Sequence, residues 1–151
     1  IAGVEVLPDS YGIGENELKD ALMRQGTELR PGDVVMVRTG RMSVWPDVEG
    51  YLYNSPGLNM DGARFLAEAG AISIGSDNVG IEQTPGSEEY LWPPVHTYLL
   101  AEAGIPMIEV VDLEELSRDQ TYEFAFIGAA LKLRGASGAP IRPMAIPLAK
   151  N

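Results

Sequence analysis

The chain reads as an α/β domain of mixed type. Apolar runs of strand length, among them GDVVMV, AISI and IPMIEVV, alternate with amphipathic segments of helical period. Glycine or proline marks most of the junctions, and the 17 glycines and 11 prolines are spread through the turns as many short connections require. Neither an internal repeat nor a low-complexity tract interrupts the pattern.

Taken in order, the alternation in Ile1–Leu7 predicts a first strand, and Leu18, Ala21 and Leu22 place a helix over Asn16–Gln25 that stops at Gly26. After a turn at Pro31-Gly32, residues 32–41 (GDVVMVRTGR) form a strand of buried type. Its Thr39-Gly40-Arg41 tip lies at the carboxyl end, where α/β proteins often build sites, so it is either a pocket wall or a plain turn. Trp45 to Gly57 reads as a loop whose three aromatics cover a cavity or seal the core edge. Asn59 is the N-cap of a helix that uses Ala63, Phe65, Leu66 and Ala69 and stops at Gly70. The strand AISIGSD ends in Asp77, a site residue or an Asx-turn former.

A loop over residues 80–94 leads to a helix opened by Pro93-Pro94 and closed by Gly104, then to a strand over Ile105–Leu113 and a short acidic helix in LEELSRDQ. TYEFAFIGAALKL is a further strand, with Gly128 a possible bulge. The Gly-rich GASGAPIRPMAIPL leads into a last strand.

A length of 151 residues with 45% apolar content suits one domain, residues 1–151, able to bury its own core. The 11 basic against 22 acidic residues give a net charge of −11, which disfavours nucleic acid and anionic membranes as partners. No run approaches the roughly 20 apolar residues of a membrane span, the first residues lack a basic signal-peptide region, and there is no cysteine. A cytoplasmic protein fits these features. The chain opens on Ile1 within apolar alternation, so further residues are expected upstream.

Two residues stand out chemically. His96, the only histidine, falls in the first turn of its helix, where the positive end of the dipole opposes protonation and favours a neutral imidazole able to accept a proton or bind a metal. Glu109 interrupts an apolar strand, and if buried it must be paired, hydrogen-bonded or bound to a cation. The plainer alternatives are a capping or packing histidine and a glutamate turned to solvent. Other motifs are weak: YGIGENE lacks the third glycine of a dinucleotide fingerprint, GASGAP lacks the Lys-Ser/Thr of a phosphate loop, and no Gly-x-Ser-x-Gly elbow accompanies His96. One imidazole and one carboxylate suit zinc or manganese in kind, but two ligands do not hold a catalytic ion.

Several spaced strings nevertheless resemble one family, the cyclase-like metal-dependent hydrolases that include bacterial kynurenine formamidase and isatin hydrolase. GDVVMVRTGR is similar to the family's GDVVLVRTGW. PGLNMDGARFLAEAGAISIGSD resembles its helix and strand ending in IGSD, and PVHTYLLAEAGIPMIEVVDLEEL resembles its PVH block ending in LDLEEL. LKLRGASGAPIRPMAI is similar to the closing GSPVRP segment, and together these strings cover most of residues 30–146.

The resemblance implies a swivelling β/β/α fold with a β-barrel-like central sheet flanked by helices, of which this chain is the carboxyl-terminal portion. It implies hydrolysis of amide or cyclic amide bonds with zinc or manganese, His96 as the active-site histidine that relays a proton, and Glu109 as the acidic residue that completes a metal site. Asp77 occupies the family's strand-end aspartate position, without assigned chemistry. The family's His-x-Gly-Thr-His-x-Asp motif is absent, so a missing amino-terminal segment or companion chain is an expected partner, as is a homo-oligomer. The alternative is a degenerate, non-catalytic relative that binds a ligand or another chain. Arg41, Val110-Val111-Asp112 and Ala139 depart from the family's usual Trp, Asn-Leu-Asp and Ser, which leaves the substrate unassigned.

Overall fold

The computed structural model describes residues 2–86 and 93–148. The elements in chain order are β1 (Gly12–Ile13), α1 (Glu15–Gln25), β2 (Val34–Val37), α2 (Val48–Leu52), β3 (Gly57–Leu58), α3 (Met60–Glu68), β4 (Ser73–Ser76), α4 (Pro94–His96), β5 (Met107–Ile108), α5 (Glu114–Arg118), β6 (Phe124–Ile127) and β7 (Met144–Pro147). A 3-10 turn occupies Arg41–Val44, and α4 continues as a π-helix over Thr97–Ala103.

The central sheet is parallel with β4 in the middle, in the order β2-β4-β5, its register set by Val34 opposite Ser73 and Ile74 opposite Met107. Parallel neighbours need long crossovers, and helical segments supply them here: α3 lies on the path from β2 to β4, and α4 with its π continuation joins β4 to β5. β1 and β3 form a second parallel pair, and β6 with β7 an antiparallel one. Every residue of β4 is buried, as a middle strand covered on both faces requires.

Local chemistry explains the helices. Glu17 accepts the Gly14 N–H at 3.0 Å to start α1, and Gly26 closes it at φ +65°. Asn59 caps α3 as expected, its side chain accepting the Gly62 N–H at 3.0 Å. Leu18 of α1, Ala63 and Leu66 of α3, and Val95 and Leu99 of α4 and its π continuation meet Val37 and Ile74 of the sheet in one core.

Several expectations are corrected. Residues 2–7 form turns and bends instead of a strand, because Ala2 and Gly3 take positive φ; one bond, from the Leu7 N–H to the Thr39 carbonyl, ties the segment to the sheet. The Ile105–Leu113 run supplies only the two-residue β5, since Val110 at φ +58° turns the chain out of the ladder. The Trp45–Gly57 stretch contains α2, where Tyr51 is buried while Trp45 and Tyr53 stay exposed. β6 ends before Gly128, so no bulge forms there. The three small sheets among the described residues do not close into a barrel. Residues 87–92 of the loop before Pro93, and Ile1, lie outside the described residues. No helix among the described residues is long and apolar enough to cross a membrane.

Candidate functional site

The structure brings His96 and Glu109 together, as expected, with Nε2 3.2 Å from Glu109 Oε1. His96 is held in place by its helix. Val95, beside it, is buried in the core, and Pro93 accepts the Thr97 hydroxyl at 3.1 Å, so the ring emerges at a rigid helix start. Glu109 reaches it from the end of β5, where the Val110 and Val111 N–H groups bond the Asn78 and Ser76 carbonyls just past β4. Both side chains therefore sit at the carboxyl end of the parallel sheet, the usual place for sites in α/β folds.

Glu109 is not buried: its side chain is 40% exposed, and the solvent-facing alternative describes it better than the buried carboxylate expected from the strand. The buried acid is Glu82, which the sequence reading missed. Its side chain is only 6% exposed, Oε1 is hydrogen-bonded to His96 Nδ1, and Oε2 accepts the Val95 N–H at 3.2 Å. His96 is thus clasped between two carboxylates. Glu82 stands 14 positions before His96 in a loop, and no periodicity linked the two.

This clasp also reverses the expected protonation of His96. Its hydrogen bond to Glu82 raises the pKa above the usual imidazole value; burial opposes this, and the Glu82 charge and the Glu109 bond reinforce it. A carboxylate in contact outweighs the helix dipole, which is worth about 0.3–1 kcal/mol at an exposed terminus.

Asp77 is neither a site residue facing outward nor a local Asx-turn former. Its fully buried carboxylate accepts the Thr39 N–H at 2.8 Å, the Thr39 hydroxyl at 2.7 Å and the Gly40 N–H at 2.7 Å, which locks the end of β4 to the tip after β2. The Tyr51 hydroxyl donates to the Asp77 carbonyl at 2.8 Å, and burial, with the Asp77 and Glu109 charges behind it, pushes that phenol up to about 12. Thr39-Gly40-Arg41 is accordingly spent on internal bonds: Arg41 is buried and bonded to Asp9 and to the Tyr53 carbonyl. A cavity of about 360 Å3 lies elsewhere, among α1, β2 and α5, and His96 does not line it.

His96 Nε2 and Glu109 fit a zinc or manganese ion in kind, being one imidazole and one carboxylate. They do not fit it in number, because no group of three His, Cys, Asp or Glu side chains among the described residues is disposed to hold an ion.

Comparison with known proteins places these observations. A search of curated proteins gave no match. Among solved structures, the chain is similar to a cyclase with 30% identity and a TM-score of 0.83 over 93% of this chain and 49% of the other. It is similar also to a potential metal-dependent hydrolase with cyclase activity, at 24% identity and a TM-score of 0.66 over 89% of this chain and 57% of that one. Isatin hydrolase A from Ralstonia solanacearum shares 22% identity and a TM-score of 0.72 over 91% and 53% of the two chains. These last two likenesses show a common fold alone, and the chain spans about half the length of the structures it matches. The family described as Cyclase matches residues 3–83, more than half of the chain. With that match over more than half of its residues, the chain belongs to the cyclase family.

Proposed function

We propose that this chain forms the His96–Glu109 side of a metal-dependent centre that hydrolyses amide or cyclic amide bonds in small molecules. The observation that carries the reading is the approach of His96 Nε2 to Glu109 Oε1 at the carboxyl end of the sheet, in a member of the cyclase family. Both residues would be ligands or near neighbours of a zinc or manganese ion. When bound, such an ion supplies Lewis acidity and a water acidified towards neutral pH. The substrate class is taken from the matched isatin hydrolases, with N-formyl aromatic amines as the open-chain counterpart.

The chain's own residues do the rest. Where it does not hold an ion, His96 can deliver a proton from Nε2 to a departing amide nitrogen, its pKa raised by the Glu82 hydrogen bond. Glu109, exposed on one side, faces Nε2 and can take the proton up again or hold the ring's charge. With a single histidine the chain cannot supply a second imidazole, so further ligands would come from a companion segment or chain, in a homo-oligomer or a longer protein. A second reading, a non-catalytic ligand-binding or interaction domain, is favoured by the lack of a three-ligand cluster among the described residues.

Zinc and manganese titration, with assays on isatin and an N-formyl aromatic amine, separates the two. On the hydrolase reading the 151-residue chain binds metal weakly and turns over little substrate, and His96→Ala or Glu109→Ala lowers affinity by more than about 100-fold, beyond the roughly 10–100-fold typical of an outer-shell partner. One tightly held ion per chain with no second chain present would contradict the incomplete ligand set. Binding indifferent to both substitutions would favour the non-catalytic domain.

A further inference from the structure

We propose that Glu82 is the positioning residue of this site: it accepts the hydrogen bond of the His96 Nδ1–H and so commits Nε2 to face Glu109 and whatever proton or divalent cation the two share. The inference rests on the reading of His96 and Glu109 given above. Its geometry stands independently of that reading.

The first observation is directional. An ionised carboxylate only accepts hydrogen bonds, so the ring nitrogen against Glu82 must be the protonated one. In the neutral ring the other nitrogen, Nε2, then carries the lone pair, and it points at Glu109. Nε2 and a carboxylate oxygen 3.2 Å apart, both lone-pair donors, face each other stably only across a proton or a cation.

The second observation is that Glu82 is fixed from every side. One oxygen is on the ring and the other accepts the Val95 N–H of the same helix, so ring and helix start are gripped together. Its backbone is pinned against β3: the Leu58 N–H donates to the Ile81 carbonyl at 2.9 Å and the Gln83 N–H to the Leu58 carbonyl at 3.0 Å. The approach is so close that a Cβ on Gly57 would fall 2.4 Å from the Glu82 carbonyl carbon, which explains a glycine there. Gly80 lies beside the ring at φ +90°, a conformation that favours glycine, and an added Cβ there would sit in ordinary contact with His96 Cε1 at 3.6 Å.

The third observation is strain. Among the described residues only two β-branched side chains have positive φ, Ile81 at +60° and Val110 at +58°. One adjoins Glu82 and the other Glu109. Such conformations are outliers for branched residues and persist where the surroundings over-determine them, commonly at functional sites. Core packing holds Ile81, which is buried, whereas Val110 is half exposed and is not held by packing alone.

The test exploits the single histidine, whose imidazole nitrogen signals need no assignment. Nitrogen-15 spectra of the 151-residue chain are recorded in base, where the ring is neutral, for the native protein and for Glu82→Gln, Glu82→Leu and Glu109→Gln, with far-UV circular dichroism as the check on folding. The native ring is expected as the Nδ1–H tautomer. Glu82→Gln keeps that tautomer, since the amide oxygen still accepts, and Glu109→Gln leaves it unchanged. Glu82→Leu releases the ring to the Nε2–H form that an unconstrained imidazole favours, and weakens zinc binding by about 10–100-fold.

A native ring bearing its proton on Nε2 would overturn the proposal, as would a tautomer that follows Glu109 instead of Glu82. The native spectrum and the exposed Glu109 variant decide this even if Glu82→Leu does not fold. Zinc binding indifferent to His96→Ala and Glu109→Ala would instead count against the hydrolase reading, while the tautomer still tests the role of Glu82.

Discussion

Replacing Asp77 by alanine tests how the site is braced. The carboxylate is fully buried and accepts the Thr39 N–H, the Thr39 hydroxyl and the Gly40 N–H, all within 2.8 Å. Thr39 and Gly40 are themselves buried, so alanine leaves two backbone N–H groups without partners in a place water cannot reach. Each such group costs about 1–3 kcal/mol, giving a loss of roughly 2–6 kcal/mol. A domain of this size has about 5–15 kcal/mol to lose, and its melting temperature falls about 2–4 °C per kcal/mol, so a drop of roughly 5–20 °C is expected. Asp77→Asn should fall between the two, because its oxygen can still serve Thr39 while its amide group confronts the Gly40 N–H. Urea unfolding followed by circular dichroism measures this, with an unchanged m-value as the sign that native-state stability alone has moved. The Val110 and Val111 N–H groups hang from the Asn78 and Ser76 carbonyls on either side of Asp77, so His96–Glu109 contact should loosen in the same variant. A loss under about 0.5 kcal/mol, the range of ordinary surface substitutions, would refute the bracing argument.

Three further outcomes follow from the geometry. Val110→Gly should be neutral or stabilising by up to about 1 kcal/mol, since relief of a left-handed conformation worth about 1–2 kcal/mol outweighs the 0.5–1 kcal/mol of extra glycine entropy; chemical denaturation giving a loss above about 1 kcal/mol would show that the side chain packs. His96 has a folded pKa above its unfolded value near 6.5, so its stabilising contribution is complete in acid and fades as pH rises through the folded pKa. The stability gap between the native chain and His96→Asn should therefore shrink from pH 6 towards pH 9, and a widening gap in paired denaturation curves would contradict it. Finally, β6 and β7 pair only with each other among the described strands, and Ile127, Leu131, Leu133, Met144 and Ile146 are exposed on and beside them. Native mass spectrometry is expected to find this surface covered by a second copy or a companion segment, and a monodisperse 16.3 kDa species at micromolar concentration would show otherwise.

Much of the architecture was legible from one-dimensional signals because those signals are local. Asn59 capped α3, Gly26 and Gly104 ended helices in left-handed conformations, and the valines of 34–37 formed a strand, since capping, φ freedom and β-branching act within a few residues. The same locality misled at Ile1–Leu7 and beyond β5, where apolar pattern promised strands that positive φ values at Ala2, Gly3 and Val110 interrupt.

The sequence by itself determined the mixed α/β class and the family, and it singled out His96 and Glu109 as candidates, because apolar periodicity, family strings and a lone histidine can all be read along the chain. Only the tertiary structure decided which acid is buried, which way the imidazole faces and what Asp77 does. Glu82 meets His96 across 14 residues, and Asp77 meets Thr39 across 38. Burial and electrostatic pairing are properties of neighbours in space, and a carboxylate's protonation, exposure and role follow from those neighbours, none of which its residue type or its place in the chain encodes.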